Sequence, residues 1–253
     1  MADDILLQFS ILIPALIAGL LVLSTHVPLG IEVLQRGIVF LDLAIAQVAA
    51  FGLVLAYWIG LDSDTKSVYL LSQIIAITAA IIGASFLYQF RRFSAQIQEA
   101  LIGIVFILAA TGSVLVLSTD PHGAERIKNL LVGQILWAEQ STLIFTSIIY
   151  VPILIAWLKF KDRLGEYGFY PLFAITVTLS TQLVGVYLVF ASLIVPALAC
   201  RQSRSPLTAA YLTGVLGYIL GLILSSLWDL PAGPMIAWSL VAASLTYYLL
   251  FHE

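Results

Sequence analysis

Charge is what this sequence has least of. Only 10% of its 253 residues are Asp, Glu, Lys or Arg, against roughly 25% in a soluble globular domain. The 11 basic and 14 acidic residues give a net charge of −3, too small a bias to serve a nucleic-acid surface. Cys200 is the single cysteine, which excludes an internal disulfide and a thiolate zinc cluster. No His-Glu-x-x-His, no Gly-x-Ser-x-Gly and no Gly-x4-Gly-Lys-Ser/Thr occurs anywhere in the chain, so metalloprotease, hydrolase-elbow and P-loop chemistry have no residues to work with. Any ATP hydrolysis that drives this chain has to sit on another polypeptide, and the chain itself reads as no enzyme.

Apolar residues fill the space that charge leaves. They make up 61% of the chain, and the mean hydropathy is +1.06. Runs fall at about 5–24, 38–60, 68–90, 100–118, 141–158, 169–200, 207–227 and 235–251. Each reaches the roughly 17–25 residues with which a helix spans a bilayer. The N-terminal Met1-Ala2-Asp3-Asp4 lacks the basic stretch of a signal peptide, so Ile5–Ser24 reads as a retained first helix. The run at 169–200 is too long for one upright helix, and Gly185 near its middle with Pro196 near its end predicts two short helices with a tight break. Leu130–Trp137 is too short to span and reads as an interfacial or re-entrant turn. The expected fold class is all-α: a polytopic membrane protein of about nine transmembrane helices (eight to ten), with residues 1–253 forming one domain.

Orientation follows from the basic residues of short loops. Arg36, Arg91, Arg92, Lys159, Lys161, Arg163, Arg201 and Arg204 are placed in the cytoplasm, leaving Lys66, Arg126 and Lys128 outside. That arrangement needs an even number of crossings between Arg163 and Arg201, which the split run would supply.

Polar groups inside apolar runs are the candidate functional residues, since an ionisable side chain in a span costs several kcal/mol unless it meets a cavity, partner or pathway. Asp42 is the only charge in 37–60 and lies roughly 7 Å into its helix, with Gln47 near 15 Å, about mid-membrane. Glu99 precedes the run at 100–118, where a helix N-terminus favours a carboxylate. Asp120, His122 and Glu125 fall within six residues on the side assigned as external, and imidazole with carboxylate suits zinc or manganese. A solvated loop or a protein-docking loop is the competing reading there. His26 and His252 sit alone at helix ends and are assigned no role. Gly214, Gly217 and Gly221 form a small-residue stripe, read either as a dimer surface or as an intrachain helix contact.

Five stretches in order resemble the permease subunit of zinc/manganese ABC importers. They are Pro28-Leu29-Gly30 with Arg36; Glu99-Ala100-Leu101-Ile102-Gly103-Ile104; Leu131-Val132-Gly133-Gln134-Ile135-Leu136; Val184-Gly185 with Ser192-Leu193-Ile194-Val195-Pro196-Ala197; and Asp229-Leu230-Pro231-Ala232-Gly233-Pro234. The resemblance implies a type II ABC importer fold in a bacterial inner membrane and a homodimeric channel. It also implies a cytoplasmic ATPase pair and an extracytoplasmic metal-binding protein, with zinc or manganese as cargo and no resident cofactor. The alternatives are a permease for a metal chelate (siderophore or cobalamin-like) and a non-transport membrane scaffold. Three departures accompany it: Leu43 and Gln47 stand where the family carries a pore Asp and His, with Asp42 one residue early; Gly133 is followed by Gln134 rather than Asp; and only Lys159–Gly168 is available for the ATPase-coupling loop.

Overall fold

A computed structural model describes residues 2–61 and 65–251. Among them there are eight α-helices and no strand: α1 (Ala2–Arg36), α2 (Leu41–Trp58), α3 (Lys66–Tyr88), α4 (Ala95–Leu117), α5 (Gly123–Val132), α6 (Gln140–Ala199), α7 (Pro206–Trp228) and α8 (Ala232–Phe251). A short 3-10 turn, Gln89–Arg92, closes α3, and another, Ile135–Trp137, follows α5. Straightened out, the 60 residues of α6 would reach about 90 Å, three times the hydrocarbon core of a bilayer. Gly165 (φ +53°) and Gly185 (φ +80°) interrupt it in the left-handed region, where glycine alone avoids a clash of its own Cβ.

Eight helical segments are long and apolar enough to cross a membrane: Ser10–Arg36, Leu41–Trp58, Ser67–Arg92, Ala95–Leu117, Gln140–Gly165, Tyr167–Ala199, Pro206–Trp228 and Ala232–Phe251. That is the low end of the eight to ten expected. The first differs from the apolar run by continuing past Ser24 to Arg36, through Pro28. The run at 169–200 yields one segment, Tyr167–Ala199, with its break at the anticipated Gly185. Outward faces carry Leu115, Ile148, Leu227 and Leu249, all well exposed, as lipid contact allows and water would not. Trp58, Trp137 and Trp228 stand exposed at segment ends, where indole rings favour the membrane–water interface.

The chain divides into two compact units. One comprises Met1–Arg36, Val132–Ile155 and Gln182–Glu253. In it α7 packs on α1 and α8 through glycines: a Cβ on Gly214 would meet Leu23, one on Gly217 would meet Leu240, and one on Gly221 would meet Ile236. The glycine stripe is therefore consumed inside the chain, because in lipid close backbone approach replaces the hydrophobic drive between helices. Pro28 has no N–H to give to the Ser24 carbonyl one turn back. Tyr211 supplies the missing donor from α7, its hydroxyl donating to that carbonyl at 2.7 Å.

The other unit comprises Gly37–Leu131 and Ala156–Thr181. Here α2 lies between α3 and α4. Gly52 meets Ala79, Gly83 meets Val48 and Gly112 meets Phe51, so α2 is gripped along its length. In the same unit Trp157, Phe169, Tyr170 and Phe173 form an aromatic cluster.

Candidate functional site

Asp42 stands in the first turn of α2, where the aligned peptide dipoles favour a negative charge. Its side chain is fully buried, and neither carboxylate oxygen has a hydrogen-bond partner among the described residues. Buried polar groups in folded proteins are almost always bonded, so an orphaned carboxylate in a span makes Asp42 a candidate functional residue. Gln47 is buried five residues further along the same helix, about 7.5 Å up and 140° around. The two point in different directions, and both lie inside the unit rather than toward lipid.

Glu99 sits in the second turn of α4, since that helix starts at Ala95 and not at residue 100. It is half-buried and borders an open groove of about 570 Å³, shared with Phe40, Gly103 and Ile107. It is the one ionisable residue lining that otherwise apolar groove.

The segment 120–128 separates its three candidate ligands. Asp120 accepts the His122 backbone N–H at 2.8 Å and pairs with Arg126 at 3.0 Å. Arg126 in turn lies 4.9 Å from the centre of the Tyr57 ring, which ties the start of α5 to the end of α2. His122 and Glu125 are more than two-thirds exposed and approach each other only to 4.0 Å. Among the described residues, no three His, Cys, Asp or Glu side chains are grouped to hold a metal ion. His26 is buried in α1 with its Nδ1 against the Val22 carbonyl at 3.0 Å and the Thr25 hydroxyl at 3.2 Å. His252 lies outside the described residues.

Sequence reasoning missed what the motif glycines do. Gly133 (φ +74°) and Gly185 (φ +80°) press backbone to backbone: a Cβ on either would collide with the other's main chain. A Cβ on Gly233 would strike the Val132 carbonyl, and one on Gly30 the Leu193 carbonyl. Four of the five motif stretches thus meet one another through glycine in one unit. The signal available was the pairing of isolated glycines with apolar neighbours in separate stretches. It does not reveal which glycine meets which.

Comparison with known proteins agrees with this geometry. Residues 8–169 and 160–251 match the model of the ABC 3 transport family. The high-affinity zinc uptake system membrane protein ZnuB of Haemophilus influenzae is 25% identical over 252 residues, covering 90% of this chain and 93% of that one. The chelated iron transport system membrane protein YfeD of Yersinia pestis is 27% identical, covering 76% and 69%. Among solved structures, PsaBC from Streptococcus pneumoniae in complex with Fab superposes with a TM-score of 0.77 at 20% identity, over 98% of this chain and 95% of that one. An inward-facing conformation of a putative metal-chelate type ABC transporter gives 0.67 at 18% identity, over 95% and 86%. These two share the fold.

Proposed function

The chain belongs to the ABC 3 transport family, and from that premise we propose that it is the multi-pass membrane permease of an importer for a divalent metal ion, zinc or manganese first. A separate cytoplasmic ATPase subunit supplies the energy, an extracytoplasmic metal-binding protein delivers the ion, and two copies of this chain form the channel. The metal is cargo and not a resident cofactor. The observation that carries the reading is Asp42, a fully buried carboxylate without a hydrogen-bond partner among the described residues, in a helix packed on two sides. A single carboxylate attracts a cation without supplying the full ligand set that would trap it, and conduction needs sites weak enough to release their ion. Gln47, on another face of α2, offers a neutral amide, a weaker zinc ligand than imidazole or carboxylate. Glu99 is assigned to the path from the α4 side, while His122 and Glu125 meet the ion or its carrier outside the membrane.

Transport of a metal chelate is the second reading, favoured by the likeness to the chelated iron system protein. A chelate arrives with its own ligands and gains little from one buried carboxylate. Uptake of zinc, manganese and an iron chelate into cells lacking the chain, complemented with wild type or Asp42→Asn, separates the two. Asp42→Asn should lower free-ion uptake at unchanged membrane abundance. Equal free-ion uptake by both proteins would remove Asp42 from the path, and loss of chelate uptake alone would move the assignment to the second reading.

A further inference from the structure

The segment Gln140–Gly165 has 26 residues, about 39 Å of helix, which overshoots a 30 Å hydrocarbon core by about six residues. That overhang holds Lys159, Lys161, Asp162 and Arg163, all exposed. Gly165 then turns the chain in a left-handed conformation with open space around it. Facing this elbow within the same unit is the turn that ends α3. There the Arg91 guanidinium lies 4.2 Å from the centre of the Tyr88 ring and 5.6 Å from that of Tyr167. The rings of Tyr88 and Tyr167 are 5.0 Å apart, and those of Tyr88 and Tyr170 5.2 Å. A planar cation stacked over one ring, with a second ring packed beside it, is a directional contact that a lysine ammonium does not reproduce.

Two chain segments far apart in sequence are clasped here at the polar end of the spans. Tyr167 is 72% exposed, so the clasp fills no core. From the clasp, α3 runs back along α2. A Cβ on Gly83 would lie 2.9 Å from Val48, and one on Gly52 2.6 Å from Ala79. Contacts this close leave α3 no room to slide without carrying α2, which bears Asp42 and Gln47.

We propose that Arg91, stacked on Tyr88 with Tyr167 beside it, is a positioning residue that joins α3 to the chain just beyond the basic overhang 159–165, so that an ATPase subunit pressing an acidic face on the overhang moves α2. The partner's chemistry follows from the charge balance of the sequence there: Arg91, Arg92, Lys159, Lys161 and Arg163 outnumber Asp162 and Glu166, which favours a carboxylate-bearing partner. The proposal rests on the reading that a separate ATPase drives this chain.

The test uses the intact permease–ATPase complex in proteoliposomes, loaded with zinc or manganese, reading ATP hydrolysis and metal uptake together. Arg91→Ala and Tyr167→Ala should retain the ATPase subunit and its hydrolysis while metal moved per ATP falls about fivefold or more, the lower range of coupling between sites. Tyr167→Phe, which keeps the ring, should couple as wild type does, and Arg91→Lys should fall between. Wild-type metal per ATP in both alanine variants would overturn the proposal. So would a loss confined to phosphatidylglycerol vesicles and absent from phosphatidylcholine, which would make the cluster a lipid headgroup site. If Arg91→Ala fails to fold, the exposed Tyr167→Ala decides alone. No ATPase bound to the wild-type chain would sink the underlying reading, whereas bound ATPase with normal coupling in the variants sinks only this inference.

Discussion

Gly185→Ala should cost this protein a large part of its stability. Two effects add at that position. An L-residue in the left-handed region costs about 1–2 kcal/mol, and Gly185 stands at φ +80°. The new methyl would also lie against the Gly133 amide nitrogen, 2.5 Å from the Val132 carbonyl carbon and 2.8 Å from the Gly133 Cα. Those are backbone atoms that cannot rotate aside, so the overpacking adds about 1–3 kcal/mol. The total of about 2–5 kcal/mol is a large share of a typical folding free energy of about 5–15 kcal/mol. Gly165→Ala is the internal control, since φ is +53° but nothing lies within 4 Å of the added methyl, leaving only the backbone cost. The assay is the thermal midpoint of detergent-extracted protein, read by size-exclusion recovery after heating, with membrane abundance alongside. Gly185→Ala should lose recovery at clearly lower temperature than Gly165→Ala. Equal midpoints would refute the argument that the Gly133–Gly185 contact is a fixed joint.

Tyr211→Phe leaves the Ser24 carbonyl without its donor and should cost about 1–3 kcal/mol; adding Pro28→Ala restores a backbone N–H and should return the thermal midpoint toward wild type. Gly217→Leu drives a side chain into Leu240 of the same chain, so total folded protein should fall, and recovery of well-folded monomers would reinstate the stripe as a dimer surface. The double variant His122→Ala/Glu125→Gln removes two exposed side chains assigned to the ion or its carrier and should lower uptake at unchanged membrane abundance; loss with binding-protein association intact makes the pair a metal relay, loss of association makes it a docking contact, and unchanged uptake and association would leave the segment a solvated connector. In a Cys200→Ala background, single cysteines at Lys161 and Arg91 should both resist an impermeant thiol reagent in intact cells, because basic flanks stay in the cytoplasm. Labelling of both from outside inverts the topology.

The positions of the spans were legible because they are a local property. In hydrocarbon every backbone N–H and C=O must be bonded within its own segment, so apolar length alone marks a helix, as at 207–227 and 235–251 against the observed Pro206–Trp228 and Ala232–Phe251. Boundaries were less legible where a special residue sits inside the run. The apolar pattern ends the first helix at Ser24, yet α1 continues through Pro28 to Arg36, and Tyr211, from a helix far along the chain, caps the carbonyl that Pro28 frees. Residue type also exposed Asp42 and Gln47 as anomalies, since a polar group in an apolar run stands out in one dimension.

Composition and spacing by themselves pointed to a helical membrane protein of about nine spans, where the described residues hold eight long apolar segments, and marked the few polar residues inside the apolar runs. Tertiary structure alone decided which surfaces meet. It turned the stripe of Gly214, Gly217 and Gly221 inward onto α1 and α8, set Gly133 against Gly185, left Asp42 buried with no hydrogen-bond partner among the described residues, and spent Asp120 on Arg126 instead of grouping it with His122 and Glu125. In a soluble protein an apolar face tells a helix which side is buried. Here lipid and protein interior are equally apolar, so no hydrophobic pattern distinguishes the inner face from the outer one, and helices choose neighbours by the fit of backbone and small side chains. That fit depends on residues far apart in sequence, and it exists only once the chain has folded.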